Sequence, residues 1–392
     1  MPRNWRKLNS VCLILMLVLL LFLLSNKRKK YDVRNDVLPV LVMMMTCDRT
    51  YYLKRCLESL VRYRPDSSIY PIIVSQDCCH EETLQIIKSF ADIDPTITFI
   101  EQPADQSDIL GHNAAAHLKG YYKIARRYRF ALNHVFRTLQ HKAVIVLEDN
   151  LDISPDFYEY FRGTYPLLYQ DPTIWCVSAW NDNCKKDLVD IKETELLHRT
   201  DFFPGLGWMV LSKTWEELEL NWPEAYLIDD WLRVPAISRG RVCIRPEISR
   251  TFKFGRVGVS NPYLFDRHLR HMVVNKDFIP FTKYNLSYLL KKNEHMFFSF
   301  VYSLPEATDE EVMAGTLNSS LKFIQVPFTN INNFRKSAAM FGLMDDLRHG
   351  VPRTGLRGVV QCFIKGRRVF LVPKIKIVQS SVLPVLNYQE FY

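Results

Sequence analysis

Residues 144–150 read VIVLEDN. Four apolar residues, mostly β-branched, run into two carboxylates and stop on an amide. Such runs suit buried strands, so this stretch predicts a strand that delivers Glu148, Asp149 and Asn150 to the edge of a sheet. Carboxylates gathered there can hold a divalent cation and, with it, a nucleotide. Two further apolar runs end on polar groups: VLPVLVMMMT meets Cys47, Asp48 and Arg49, and YPIIVSQ meets Asp77. At any one strand end, capping of the next helix is the simpler account, since Asp and Asn are preferred caps. Three polar ends together favour a site. A second acidic feature is Asp229-Asp230-Trp231. Such a pair is solvated, caps a helix, or supplies a general base. The segment DFFPGLGWMV, 201–210, is rich in Phe, Trp and Gly. It either lets backbone approach a flat ligand such as a sugar or packs into the core.

Several chemistries are disfavoured. No GxGxxG or GxxxxGK[ST] follows these strands, which argues against the usual dinucleotide and P-loop modes. The ten histidines form no HExxH pair, and no Ser nucleophile elbow occurs. A nucleotide held by carboxylates and a divalent metal stays open. The net charge of +9 is modest for 392 residues, and basic residues are scattered apart from Lys27-Arg28-Lys29-Lys30. There is no zinc-finger spacing and no basic region with heptads, so nucleic acid is not an expected partner.

The elements that must position these groups alternate. Helical spacing covers Thr50 to Tyr63, with Leu53, Leu57, Leu60 and Val61 on one face. Helices are also predicted over 80–90, over 117–140, and over 155–169, the last entered through Ser154 as cap and Pro155 at the first helical position. Strands are predicted over 70–77, 97–101 and 175–180. Short apolar runs alternating with helices predict an α/β fold with a mostly parallel sheet flanked by helices. Ligands of such sheets bind outside the carboxyl ends of the strands. A helix over LRVPAISR is expected to follow the acidic pair. Residues 358–373 read as a hairpin turning at Lys365-Gly366, inside a smaller C-terminal domain over 286–392. The length is enough for two domains.

The N-terminus carries an unbroken apolar run, 11–24, extended by flanking residues to roughly 18, near the lower limit for a membrane span. No small-x-small cleavage site follows, which predicts an uncleaved signal anchor. Residues 1–10 are then a cytoplasmic tail, 11–25 the transmembrane anchor and 26–37 a short stem. Flanking positive charges nearly balance and do not set the orientation. The sequons at Asn285 and Asn318 have meaning only in the secretory lumen. They predict a single-pass type II protein with a lumenal body. A short span suits the thinner bilayers of the early secretory pathway. Nine cysteines show no metal-ligand spacing. The lumen permits disulfides, although several of these residues also read as buried thiols.

The motifs LEDNLDISPDFYEYF, CVSAWNDN, RTDFFPGLGWMV, DDW, RPEISRTFKFGRVGVS and MDDLRHGVPRTG occur in this order. Together they resemble the N-acetylglucosaminyltransferase I family, from about Leu38 to the C-terminus. The resemblance implies a GT-A glycosyltransferase fold, with a catalytic domain over 38–253 and a loop over 254–285 that closes on the donor. It implies UDP-N-acetylglucosamine as donor, Mn2+ on its diphosphate, and the terminal mannose of a high-mannose N-glycan as acceptor. It implies residence in the Golgi membrane, and one inverting displacement, for which a lone carboxylate base suffices. Carried over by position, Asp229 is the base. Arg49, Asp77, Arg127, Asp149 and Ser260 hold the nucleotide-sugar, and Asn150 stands at the metal position. Cys47 would pair with Cys78, and Cys176 with Cys243.

Four departures are visible. The family pattern has Asp where this chain has Asn150, and His where it has Arg127. The acidic pair follows Tyr226 by one residue more than in the family, and the long stem is missing. Asn still ligates through its carbonyl oxygen but without charge, so metal affinity should fall. Two rival readings follow: a low-activity homologue acting as a glycan-binding or partner protein, and a transferase for an O-mannosyl acceptor.

Overall fold

A computed structural model describes residues 40–76, 78–102, 119–224, 226–256 and 262–374. The expected anchor and stem, Asp77 and Ser260 lie outside them. Among the described residues, no helix is long and apolar enough to cross a membrane.

The main sheet has eight strands: β1 (Leu41–Thr46), β2 (Ile72–Gln76), β3 (Ile97–Glu101), β4 (Ala143–Glu148), β6 (Ile174–Ser178), β7 (Leu197–Thr200), β8 (Trp208–Leu211) and β9 (Val242–Pro246). Their order is β3-β2-β1-β4-β8-β6-β9-β7. Two short strands, β5 (Leu151–Ile153) and β10 (Thr251–Lys253), pair antiparallel beside it.

Alternation along each strand sends side chains to opposite faces. On β1, Val42 and Met44 join one apolar cluster, while Leu41, Met43 and Met45 join the other. The first cluster takes Leu53, Cys56, Leu57 and Leu60 from helix α1 (Thr50–Tyr63), and Ile87 from α2 (Glu81–Ile93). The second takes Ala125, Tyr128, Ala131 and Leu132 from α3 (Lys119–Asn133). A sheet covered on both faces needs apolar residues at every strand position, which is why LVMMM is continuous.

The sheet is parallel from β3 through β4. Past β4 it is mixed, because β8 enters antiparallel between β4 and β6. The chain reverses there through Gly205, Leu206 and Gly207, all at positive φ. A Cβ on Gly207 would lie 2.8 Å from Thr251 Cγ2, so only glycine fits.

Three predicted elements differ in detail. The helix expected from Pro155 starts at Phe157, as α4 (Phe157–Gln170). Ser154 Oγ donates to Asp156 Oδ1 at 2.6 Å instead of capping the helix, and Asp156 also pairs with the fully buried Arg250 at 3.0 Å. Within the described residues the helix over 117–140 runs as α3 and passes into a π turn, 134–138. The helix over LRVPAISR breaks in two, because Val234 is extended ahead of Pro235. Its first piece follows α5 (Ser212–Glu219) as α6 (Ile228–Arg233) and carries the acidic pair in its first turn.

The C-terminal part adds α7 (Glu294–Tyr302), α8 (Asp309–Ala314), β11 (Phe323–Phe328), α9 (Ile331–Phe341), β12 (Val360–Ile364) and β13 (Arg367–Pro373). The β12–β13 hairpin turns at Lys365 and Gly366, both at positive φ. A two-residue turn of that hand matches strand twist. Val369 and Leu371 of β13 join a local cluster with Ile324, Phe334 and Ala338. Phe370 and Val372, on its other face, join the main core with Phe298 and Val301. The two parts are further tied by Glu247. It accepts from Arg368 at 2.6 Å and lies 2.7 Å from His198 Nε2, whose Nδ1 lies 2.7 Å from Gln361.

Candidate active site

The strand ends of β1 and β4 lie side by side. Asp149 is fully buried. Its Oδ2 accepts from Thr46 Oγ1 at 2.9 Å and from Arg49 Nε at 3.3 Å, and its Oδ1 pairs with the second arm of the same guanidinium. Burial pushes the Asp149 carboxyl up to about 6, against the pull of Arg49 and Thr46. Glu148 pairs with Lys253 Nζ at 3.2 Å, across from β10. Burial raises the Glu148 carboxyl, but Lys253, Arg49 and Arg127 outweigh it and hold it below the usual range. Arg127, from α3, donates to the Thr46 carbonyl at 3.1 Å. Cys47, which follows Thr46, is disulfide-bonded to Cys78, and Cys176 of β6 to Cys243 of β9.

Asn150 is buried. Its backbone oxygen accepts from Phe254 at 3.1 Å, and its side-chain Oδ1 has no hydrogen-bond partner among the described residues. Gly255 lies against it: a Cβ there would sit 2.7 Å from Asn150 Cβ. A buried amide oxygen without a partner is uncommon and invites a ligand.

The acidic pair separates into two environments. Asp230 is taken up by two cations, Arg233 at 3.2 Å and Arg348 at 3.5 Å. Among the described residues Asp229 has one cation, Arg233 at 3.9 Å, and its side chain is 53% exposed. Its carboxyl is nevertheless raised, first by desolvation from the cleft around it and then by Glu148 and Asp230, with Arg233 and Lys253 opposing. The side chain is open to a ligand on one side, while the protein packed around its oxygens disfavours the charged form. A carboxylate that is reachable yet crowded satisfies both. The loop carrying Gly205 and Gly207 runs from Asp229 to Leu147 of β4 and Thr251 of β10, which places the acidic pair near the strand ends.

The loop before β8 walls that cleft. A Cβ on Gly205 would lie 3.7 Å from Asp229 Oδ1, and the carbonyls of Gly205 and Leu206 are fixed by Ser178 and Thr251. Phe202 is buried between two guanidinium groups, Arg233 at 4.6 Å and Arg353 at 5.2 Å from its ring centre. Core packing and backbone approach, both open from sequence, are thus divided along one loop: Phe202 and Phe203 pack, and Gly205 faces Asp229. Arg353 also reaches Asp182 at 2.6 Å and Asp346 at 2.7 Å. These bonds hold a turn from the C-terminal part against the site.

Thr46, Lys253, Arg233 and Arg348 are site residues that sequence reasoning did not pick out. Arg233 lies four residues after Asp229, a spacing that pairs charges on a helix. The others are brought in by tertiary structure.

A divalent cation takes six or more oxygens. Asn150 Oδ1 offers one, while Glu148 and Asp149 are already in ion pairs. Among the described residues, no group of three or more His, Cys, Asp or Glu could hold a metal. The donor set fits a cation bound by Asn150 only if phosphate oxygens and water supply the rest.

Among solved structures, the chain is distantly similar to S. aureus TarS 1–349, at 12% identity and a TM-score of 0.40, covering 78% of this chain and 81% of that one. It is also distantly similar to the mannosyltransferase PcManGT from Pyrobaculum calidifontis in complex with GDP-Man and Mn2+, at 17% identity and a TM-score of 0.36, covering 61% and 64%. A much nearer relative is the alpha-1,3-mannosyl-glycoprotein 2-beta-N-acetylglucosaminyltransferase of Arabidopsis thaliana. It is 34% identical over 351 residues, 87% of this chain and 75% of that protein. The GNT-I family profile matches residues 23–382, which span every strand end and loop of this cleft. The chain belongs to the GNT-I family.

Proposed function

We propose that this protein moves N-acetylglucosamine from UDP-N-acetylglucosamine to the alpha-1,3-linked mannose of a high-mannose N-glycan, in beta-1,2 linkage, the step that starts complex and hybrid glycans. The observation that carries the mechanism is the division of labour in the acidic pair. Asp230 is locked by two arginines and Asp229 is left reachable. Asp229 takes the proton of the acceptor hydroxyl as that oxygen attacks the sugar's anomeric carbon. The bond to UDP breaks on the opposite face, so the configuration inverts. A carboxylate raised above its ordinary range is a better match for this task near neutral pH.

Arg49, Arg127 and Asp149 at the strand ends, with Asp77 and Ser260 outside the described residues, hold the donor. Asn150 would hold Mn2+ through its side-chain oxygen, with phosphate oxygens and water supplying the other ligands. That cation, when bound, neutralises charge on the departing diphosphate. A GT-A fold accommodates this arrangement, and a type II anchor over 11–25 sets the body in the Golgi lumen.

The test is transfer by the purified full chain to a high-mannose N-glycan over a manganese titration, with linkage analysis of the product. Beta-1,2 product that disappears in Asp229→Asn is expected. No transfer by the native chain or by Asn150→Asp at any metal level would sink the enzyme reading. Transfer only to an O-mannosyl glycan would move the acceptor.

A further inference from the structure

We propose that Asn318 carries an N-linked oligosaccharide in the folded protein and that the second sequon, at Asn285, stays bare. This rests on the lumenal placement proposed above, since sequons are read only in the secretory lumen.

The first sequon is open. Asn318-Ser319-Ser320 lies in the loop between α8 and β11, and all three residues are exposed. Asn318 Oδ1 accepts from the Ser320 amide at 3.0 Å and from Ser320 Oγ at 2.9 Å. This turn brings the hydroxyl of the third residue onto the carboxamide of the first. Asn318 Nδ2, the atom to be modified, makes no hydrogen bond among the described residues.

Nor does the loop need that nitrogen. The carbonyls of Leu317, Asn318 and Leu321 all accept from the Arg367 guanidinium, at 2.7, 2.6 and 2.7 Å. Gly315 closes α8 at a positive φ of 74°. Arg367 opens β13, so the backbone of the loop is held against the C-terminal sheet. A bulky, hydrophilic group on Asn318 Nδ2 breaks no bond there and displaces no core residue.

The second sequon, Asn285-Leu286-Ser287, is built differently. Asn285 is half-buried, and Leu286 and Leu289 beyond it belong to the main core. The Ser287 carbonyl accepts from Asn293 Nδ2 at 2.7 Å, and Tyr288 Oη accepts from the Leu197 amide of β7 at 3.0 Å. The tripeptide is thus part of a segment pinned on both sides. A group of that size on Asn285 would have to part the segment from the core.

In the modification, Asn318 Nδ2 bonds to the first sugar's anomeric carbon and loses one proton. The bond from that carbon to the diphosphate of a lipid-linked oligosaccharide breaks, and the diphosphate leaves with the electron pair.

The experiment is expression of the full chain in cells with a secretory pathway, extended at its C-terminus by a short tag that contains a sequon of its own. An amidase that removes N-linked glycans is applied, and the steps in gel mobility are counted. Expected are two steps, one from the tag and one from Asn318. Asn318→Gln and Ser320→Ala should each remove one step, Ser320→Thr should keep it, and Asn285→Gln should change nothing. Peptide mass spectrometry should find the side-chain amide of Asn318 hydrolysed by the amidase and that of Asn285 intact. A modified tag beside an unmodified Asn318 overturns the proposal. So does a step that is lost in Asn285→Gln. A chain modified at neither the tag nor Asn318 overturns the lumenal placement beneath it, and the proposal with it.

Discussion

Asp149 and Asp229 are both carboxyls raised above their ordinary range, and they make opposite demands. Asp229 must lose its proton to act as a base. The rate should therefore climb with pH through a value above that of a common aspartate. Arg233→Gln, which removes an opposing cation, should move that acid limb to still higher pH. A pH profile of kcat/KM checks this, and a limb that does not move counts against Asp229. In Asp229→Asn the rate should fall by roughly 10²- to 10⁴-fold while UDP affinity holds. Asp149 is raised to about 6 by burial. A raised carboxyl favours the folded state in its protonated form. That stability is present below the unfolded carboxyl range and is lost as pH rises through about 6. Asp149→Asn mimics the protonated form. It should stabilise the fold by on the order of 1–3 kcal/mol at pH near 8, with no gain near pH 4, and should weaken UDP binding. Urea unfolding at the two pH values reads the sign.

The element that decides the geometry is the reversal before β8. Gly207→Ala meets both a positive φ of 95° and Thr251 Cγ2 at 2.8 Å. Gly240→Ala meets a positive φ of 69° but open space. The first should cost about 2 kcal/mol or more, and the second about 1. Equal shifts in thermal melts would show that the Thr251 contact relaxes freely. The same element marks the limit of what sequence reveals. The strand ends at Arg49 and Asp149 were legible, because continuous apolar runs must be buried and must stop somewhere polar. The turn at Lys365-Gly366 was legible from local chemistry alone. That β8 runs antiparallel, splitting β4 from β6, depends on pairing between distant segments and left no periodic trace. The early helix start at Pro155 was misjudged for a related reason. Asp156 is claimed by Arg250, ninety-four residues away, and that contact overrides the local capping signal. Lys253 and Arg348 were missed likewise, since only the folded chain sets them beside Glu148 and Asp230.

At the scale of the whole molecule, two sheets are joined through one carboxylate. Burial pushes Glu247 up, but His198 and Arg368 outweigh it and hold the group below the usual range. A depressed carboxyl contributes stability above the unfolded range and loses it as pH falls through the folded value. Glu247→Gln leaves Arg368 buried without its partner and should cost about 3–5 kcal/mol. Denaturant unfolding measures it, and a loss below about 1 kcal/mol would mean that water replaces the pair. Arg353→Ala should free the turn over 347–352 from Asp182 and Asp346. Faster amide exchange there, together with a lower kcat, is expected.

The reach of Arg353 and Arg348 across the chain also has a consequence for biosynthesis. Ribosomes release the N-terminal segments first, at about 5–20 residues per second. Thr46, Asp149 and Asp229 emerge well before the turn that pins Phe202 and Asp230. A nascent or truncated chain ending near residue 343 holds the strand ends of the cleft and both acids of the pair, yet lacks Arg348, one of the two cations on Asp230, and Arg353, which packs on Phe202. Glycan processing by this protein would thus be timed by completion of its own translation, and a late stop codon should produce a polypeptide that is retained and inactive.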